Sequence, residues 1–285
     1  MIPYFAQPQL QLGPIAIHAF GVLVACAVLV GTTIVVRRAA AQGVPEQTVH
    51  RFLSWVLVGG FAGAHLVDRL VYFPAETLAD PASLLRFWES LSSFGGFVGG
   101  SIGAVLFFRK RAALGSVWSY VDSFAYAFPF GWVFGRLGCF VAYDHPGRPT
   151  TFLLGQMYKD GIVRHNLGLY EAIYTMLIAA VFHALGRRPR APGFFLGLFM
   201  VLYAPFRFAA DFLRIVDVRY HGLTPGQYGC IALVLAGAAI LGTRRNEDGS
   251  RPVLSAREEQ DHRQQHGADQ KKPQPGSDHP PTPLL

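Results

Sequence analysis

Charge is scarce in this chain. Asp, Glu, Lys and Arg make up 15% of its 285 residues, against about 25% in a typical soluble domain. Hydrophobic residues supply 51% and the mean hydropathy is +0.29. That balance excludes an ordinary soluble globule and points to a polytopic membrane protein. Cysteine is nearly absent as well. Cys26, Cys139 and Cys230 lie in or beside apolar runs, with no CxxC and no Cys/His ligand spacing. Neither a disulfide framework nor a metal site is indicated. Acidic residues are the rarer sign, leaving a net charge of +7. In a membrane protein such an excess sets topology, so no nucleic-acid partner is expected.

What the chain has in quantity is apolar length. Runs long enough to span a bilayer fall at about 14–36, 52–73, 94–108, 116–135, 168–186, 193–213 and 226–242. The expected fold is an all-α integral membrane protein of about seven transmembrane helices. The "LVAC" at 23–26 has the look of a lipoprotein cleavage box, but no basic region precedes it and the apolar run continues past Cys26. It reads as part of a first spanning helix, not as a signal peptide. Residues 1–243 are expected to form the transmembrane domain. Residues 244–285 are polar and Pro-rich and are expected to form a disordered cytoplasmic tail.

Basic residues mark alternate connections: Arg37, Arg38 and Arg51; Arg109, Lys110 and Arg111; Arg187, Arg188 and Arg190; Arg244 and Arg245. The positive-inside rule makes that side cytoplasmic, with the N-terminus outside. Two groups break the pattern. Arg136 closes the fourth expected span at its outer end. Tyr203, Arg207, Asp211 and Arg214 follow one another at spacings of four, four and three near the outer end of the sixth, within about 80° of helix face. A central arginine costs about 2.5–3.5 kcal/mol on insertion scales. Cations gathered from two helices therefore suggest a polar cavity at the outer leaflet. Guanidinium groups grip phosphate oxygens bidentately, so a phospholipid phosphate suits it.

Six segments, in order from about residue 8 to 240, then resemble one family. They are "LGPIAIHAFGVLV", "SSFGGFVGG", "GRLGCF" with "DHPGR", "RHNLGLYEA", "YAPFRFAADFLR" and "LTPGQYG". Each alone is weak. Together they are similar to the bacterial prolipoprotein diacylglyceryl transferases. The resemblance implies transfer of the diacylglyceryl group of phosphatidylglycerol to the lipobox cysteine of preprolipoprotein signal peptides, at the periplasmic leaflet of the inner membrane. It implies glycerol phosphate as the released product, and no metal or cofactor. It makes Arg136 the lipid-phosphate arginine and Arg207 the second essential one, with Tyr203 and Asp211 on the same helix. It puts Asp144 at the signature acid, Gly138 and Gly147 at signature glycines, and Gly95 and Gly96 in the glycine segment beside the lipid. Tyr170, Glu171 and Gln227 fall on further motif positions.

The chain also departs from the family pattern. Phe94 stands where many members have histidine, and a phenyl ring accepts no proton. Cys139 and Ala142 replace asparagines. His145, beside Asp144 in the signature loop, is the leading substitute base, with His65 and His165 as other candidates. These departures leave open a paralogue with another acceptor or lipid, or a non-catalytic phospholipid-binding protein.

Overall fold

The computed structural model describes residues 1–12, 15–87, 91–109, 117–215 and 219–244. The polar tail, Lys110, Arg111 and Arg245 lie outside them. The chain begins not with a helix but with an antiparallel hairpin, β1 (Gln9–Leu12) and β2 (Ile15–His18), which pairs Gln9 with His18. The Gln-Leu-Gln-Leu alternation has the two-residue period of a strand, and α1 starts only at Ala19 (Ala19–Ala40).

Helix α2 (Glu46–Val67) runs into a π-turn at Asp68–Tyr72. After a connection holding α3 (Pro74–Ala79) comes α4 (Ser93–Arg109). Helices α2 and α4 meet backbone to backbone. A Cβ on Gly99 would lie 2.1 Å from the Gly59 carbonyl oxygen, and one on Gly95 2.3 Å from that of Gly63. Small residues are what permit such an approach between membrane helices.

Helix α5 (Val117–Ala142) continues to residue 142, where an end near 135 was expected. Arg136 and Cys139 are therefore helical residues, not part of a loop. Gly168 explains the extension: a Cβ there would meet the Phe140 nitrogen at 2.8 Å, so the start of α6 lies directly on the last turn of α5 and buries it. Strands β3 (Pro146–Pro149), β4 (Gln156–Met157) and β5 (Val163–Asn166) form a small sheet in the order β3-β5-β4. Then come α6 (Leu167–Leu185), α7 (Phe194–Asp211) and α8 (Pro225–Arg244). The fold is thus mainly helical, with short strands that were not anticipated. Among the described residues, five helices, α1 and α5 to α8, are long and apolar enough to cross a membrane.

The sheet ties one end of the bundle together. The Ile2 N–H donates to the Gly155 carbonyl at 2.8 Å, and Met157 N–H returns a bond to Ile2 at 2.9 Å. On the other side, Gly147 bridges Arg214, and Arg148 N–H donates to the Leu213 carbonyl at 2.9 Å. The N-terminus, the α5–α6 connection and the residues after α7 share one end, the grouping that the charge pattern predicts. At the opposite end Asp122, which sequence alone left without a partner, accepts the N–H groups of Phe195 at 2.7 Å and Leu196 at 3.1 Å. It satisfies the orphan donors of the α7 N-terminus.

Candidate active site

Arg136 is 7% exposed, so it does not snorkel to the surface. Its Nε lies 3.0 Å from Glu171 Oε1, an ion pair without an aligned hydrogen bond. Its Nη1 is 3.7 Å from the Cys139 sulfur, and its guanidinium carbon is 4.5 Å from the centre of the Trp132 ring. Trp132 Nε1 donates to Glu171 at 3.3 Å, and the Tyr203 hydroxyl donates to the same carboxylate. Glu171 is thereby the hub that joins α5, α6 and α7. It was legible only as a motif match, because one acid on an apolar helix gives no sign of its partners.

One turn along α7 from Tyr203, Arg207 donates to Asp211. Asp211 is 1% exposed, and its other oxygen accepts the Thr224 hydroxyl at 2.6 Å. Arg214 Nε stands 3.8 Å away. The pairing of Arg207 with Asp211 is thus present, within a larger network. Thr224 and Gln227 form a reciprocal capping box at the start of α8. Thr224 N–H donates to Gln227 Oε1 at 2.9 Å, and Gln227 N–H donates to Thr224 Oγ1 at 3.1 Å. This gives the "LTPGQ" stretch a physical reason: the cap that starts α8 also holds the acid that orients Arg207.

The signature loop folds back onto α5. Asp144 N–H donates to the Cys139 carbonyl at 3.3 Å, and Tyr143 N–H to the Phe140 carbonyl at 3.4 Å. This is a Schellman closure with Tyr143, φ 61°, in the left-handed position that usually holds glycine. The Tyr143 hydroxyl offsets the strain by donating to the Phe5 carbonyl at 2.9 Å and accepting the Phe5 N–H at 3.0 Å. The turn brings ligand atoms of Cys139, Asp144 and His145 within 4.8 Å of one another. Partial burial raises the Asp144 pKa, and the nearby Arg136 only partly opposes it.

Gly147 must be glycine, because a Cβ would lie 2.8 Å from that of His165. Asn166 caps α6 by accepting the Leu169 N–H at 3.2 Å, and its amide donates to Gln156 at 2.5 Å and to the Phe140 carbonyl at 3.2 Å. That cap sets the phase of α6, so Glu171 faces Arg136.

The remaining candidates sit elsewhere. Gly95 is occupied by helix contact with α2, and Gly96 has ordinary space beside Ala64. Gly138 admits the Phe20 ring, which a Cβ would meet at 3.0 Å. His65 is fully buried and bonds the Leu84 carbonyl at 3.1 Å, beneath the Phe87 ring. His165 pairs its Nδ1 with the Tyr170 hydroxyl at 2.8 Å, and burial lowers its pKa. Of the histidines proposed as a base, His145 is the one grouped with Cys139 and Asp144.

The family model described as prolipoprotein diacylglyceryl transferase matches residues 8–243, which include every part of this network. The chain belongs to that family. It is 31% identical over 250 residues to the phosphatidylglycerol–prolipoprotein diacylglyceryl transferase of Tolumonas auensis, covering 85% of this chain and 96% of that protein. The protein of the same name from Nitratidesulfovibrio vulgaris is 34% identical over 242 residues, covering 81% and 91%. That from Polynucleobacter asymbioticus is 32% identical over 256 residues, covering 86% and 97%. Within the transferase family frame, Glu171 and the Thr224–Gln227 cap are the parts of the network that the motif arginines depend on for their position.

Proposed function

We propose that this transferase moves the diacylglyceryl group of phosphatidylglycerol to the lipobox cysteine thiol of preprolipoproteins, releasing glycerol phosphate. The observation that carries the reading is that Arg136 is tied through Glu171 to Tyr203, one helical turn from Arg207 on α7. Arg136 faces Glu171, and Arg207 and Arg214 face Asp211. Guanidinium groups also grip the oxygens of an anionic phosphodiester bidentately. Each guanidinium has five N–H donors, more than these carboxylates use. Fixed donors of this kind stabilise the charge that grows on the departing phosphate.

In this reading Arg136 and Arg207 contact the lipid phosphate. Glu171, Tyr203 and Asp211 hold the two arginines in place, and Gly138 lets α1 close on α5. The chain crosses the inner membrane seven times, with α2 and α4 as the further spans. Its N-terminus and the small sheet lie on the periplasmic side, and the polar tail from 244 is cytoplasmic. The site then opens toward the periplasmic leaflet, where the lipid and the signal peptide both arrive.

The test is incubation of the detergent-purified chain with phosphatidylglycerol and a lipobox peptide. A diacylglyceryl mass increment on the peptide, lost in Arg136→Ala, is the expected result. No increment at any enzyme level would overturn the reading.

A further inference from the structure

Trp132 reaches into the site yet has no part in the phosphate chemistry. It precedes Arg136 by four residues on α5, so both side chains lie on one face of that helix. It meets both members of the central ion pair, each with a different part of the indole. The Arg136 guanidinium carbon stands 4.5 Å from the ring centre, and the indole Nε1–H donates to Glu171 Oε1 at 3.3 Å. Arg136 Nε approaches that same oxygen at 3.0 Å. The ring is itself held. Phe128, one turn earlier on α5, stacks on it with centroids 4.9 Å apart and planes 27° apart, and Phe97 of α4 packs against it at 5.4 Å.

A ring face attracts a cation without taking up any of its N–H donors. A second carboxylate in that place would occupy donors and neutralise the charge that a phosphate needs. We infer that Trp132 is a positioning residue for the transfer. Its ring sets the plane of the Arg136 guanidinium and its N–H sets the Glu171 carboxylate, which leaves the two Nη groups of Arg136 for the lipid phosphate. The inference rests on the transferase reading above and adds to it a side chain that carries no charge and reacts with nothing. It also ties α4 to the phosphate site. Phe97 extends from the helix whose glycines meet α2 backbone to backbone, and it ends on the Trp132 ring. The α2–α4 seam thereby helps to fix where that ring stands.

The full chain, purified in detergent, is assayed with phosphatidylglycerol and a lipobox peptide. Trp132→Leu removes both the ring face and the N–H. It should lower kcat about 10²-fold, the loss expected of a misplacement near one ångström, with a smaller change in the KM for phosphatidylglycerol. Trp132→Phe keeps a weaker ring face and should recover part of the loss, which keeps the test decisive if Trp132→Leu does not fold. In an Arg136→Lys background there is no planar guanidinium to hold, so Trp132→Leu should cost little more. With Trp55, Trp88 and Trp118 replaced by Phe, Trp132 is the sole indole. Its fluorescence should shift as phosphatidylglycerol is added. Diacylglycerol, which lacks the phosphate, should not shift it, and neither should phosphatidylglycerol once Arg136→Ala is introduced. Four results would each overturn the inference: unchanged kcat in Trp132→Leu, Trp132→Phe no better than Trp132→Leu, an equal loss with Arg136 intact and with Arg136→Lys, or an emission shift that survives Arg136→Ala. Each leaves the transferase reading intact, because the wild-type chain still transfers. No transfer by the wild-type chain, with an emission shift that depends on Arg136, would instead sustain the placement of Trp132 and sink that reading.

Discussion

Arg136 Nε and Glu171 Oε1 lie 3.0 Å apart on neighbouring helices, both nearly sealed from solvent. Removing one member of a buried pair leaves the other charge uncompensated, at a cost of about 3–5 kcal/mol. Glu171→Ala should therefore lower both the thermal midpoint in detergent and the transfer rate. Glu171→Gln keeps the shape and an acceptor for Trp132 and Tyr203. It should fold, yet lose about 10²–10³-fold in turnover as Arg136 loses its fixed orientation. Normal turnover in Glu171→Gln would remove Glu171 from the positioning of Arg136.

The capping box at Thr224 predicts a milder and separable effect. Thr224→Ala removes both the α8 cap and the bond to Asp211. Loss of a cap costs about 1 kcal/mol, so the thermal midpoint should fall by a few degrees. The KM for phosphatidylglycerol should rise, because Arg207 is held less firmly. Thr224→Ser should restore both. A fall in stability that Ser does not rescue would mean the hydroxyl is not what matters.

Tight backbone contact between α2 and α4 makes Gly99 intolerant of any side chain. Gly99→Val would drive its Cβ to 2.1 Å from the Gly59 carbonyl and force the helices apart. Overpacking typically costs about 1–3 kcal/mol, and the yield of folded protein should drop accordingly. A Cβ on Gly135 would meet nothing within 4 Å, so Gly135→Ala should be tolerated in the same assay.

Acid should loosen the small sheet. Burial lowers the His165 pKa, so the folded state binds this proton less readily than the unfolded chain. Stability from this group is complete above the unfolded value of about 6.5. It is lost as pH falls through that value toward the lower folded one. Amide exchange at Thr150, whose N–H donates to the Val163 carbonyl at 2.9 Å, should accelerate over that window. His165→Gln should flatten the pH dependence.

The helices were largely legible because apolar runs announce themselves by length. The expected bounds for the last three runs differ from α6, α7 and α8 by one or two residues at each end. The strands were not legible. Each is at most four residues long, so that even the Gln-Leu-Gln-Leu alternation of β1 is too brief to stand out, and β3 carries two prolines. The end of α5 was misjudged because Arg136 reads as an interface residue until its partner on α6 is known. Arg207 and Asp211 could be paired from their spacing alone. Glu171 could not be joined to Arg136, since they lie 35 positions apart with a sheet between and only the packing of α6 on α5 brings them together.

The contacts of Ile2 and Phe5 with the α5–α6 connection bear on how the protein is made. Phe5 and Tyr143 are 138 residues apart in the chain. Ile2 and Phe5 are made well before the segments they bond and must wait for the intervening chain. Until then, Tyr143 lacks the bonds that hold it in its left-handed turn. Closure of the turn after α5 is thus coupled to the return of the N-terminal segment, a long-range step of the kind that slows folding. A chain made only as far as Tyr143 would carry the whole helix of Arg136 but neither that of Arg207 nor the strand beside Ile2.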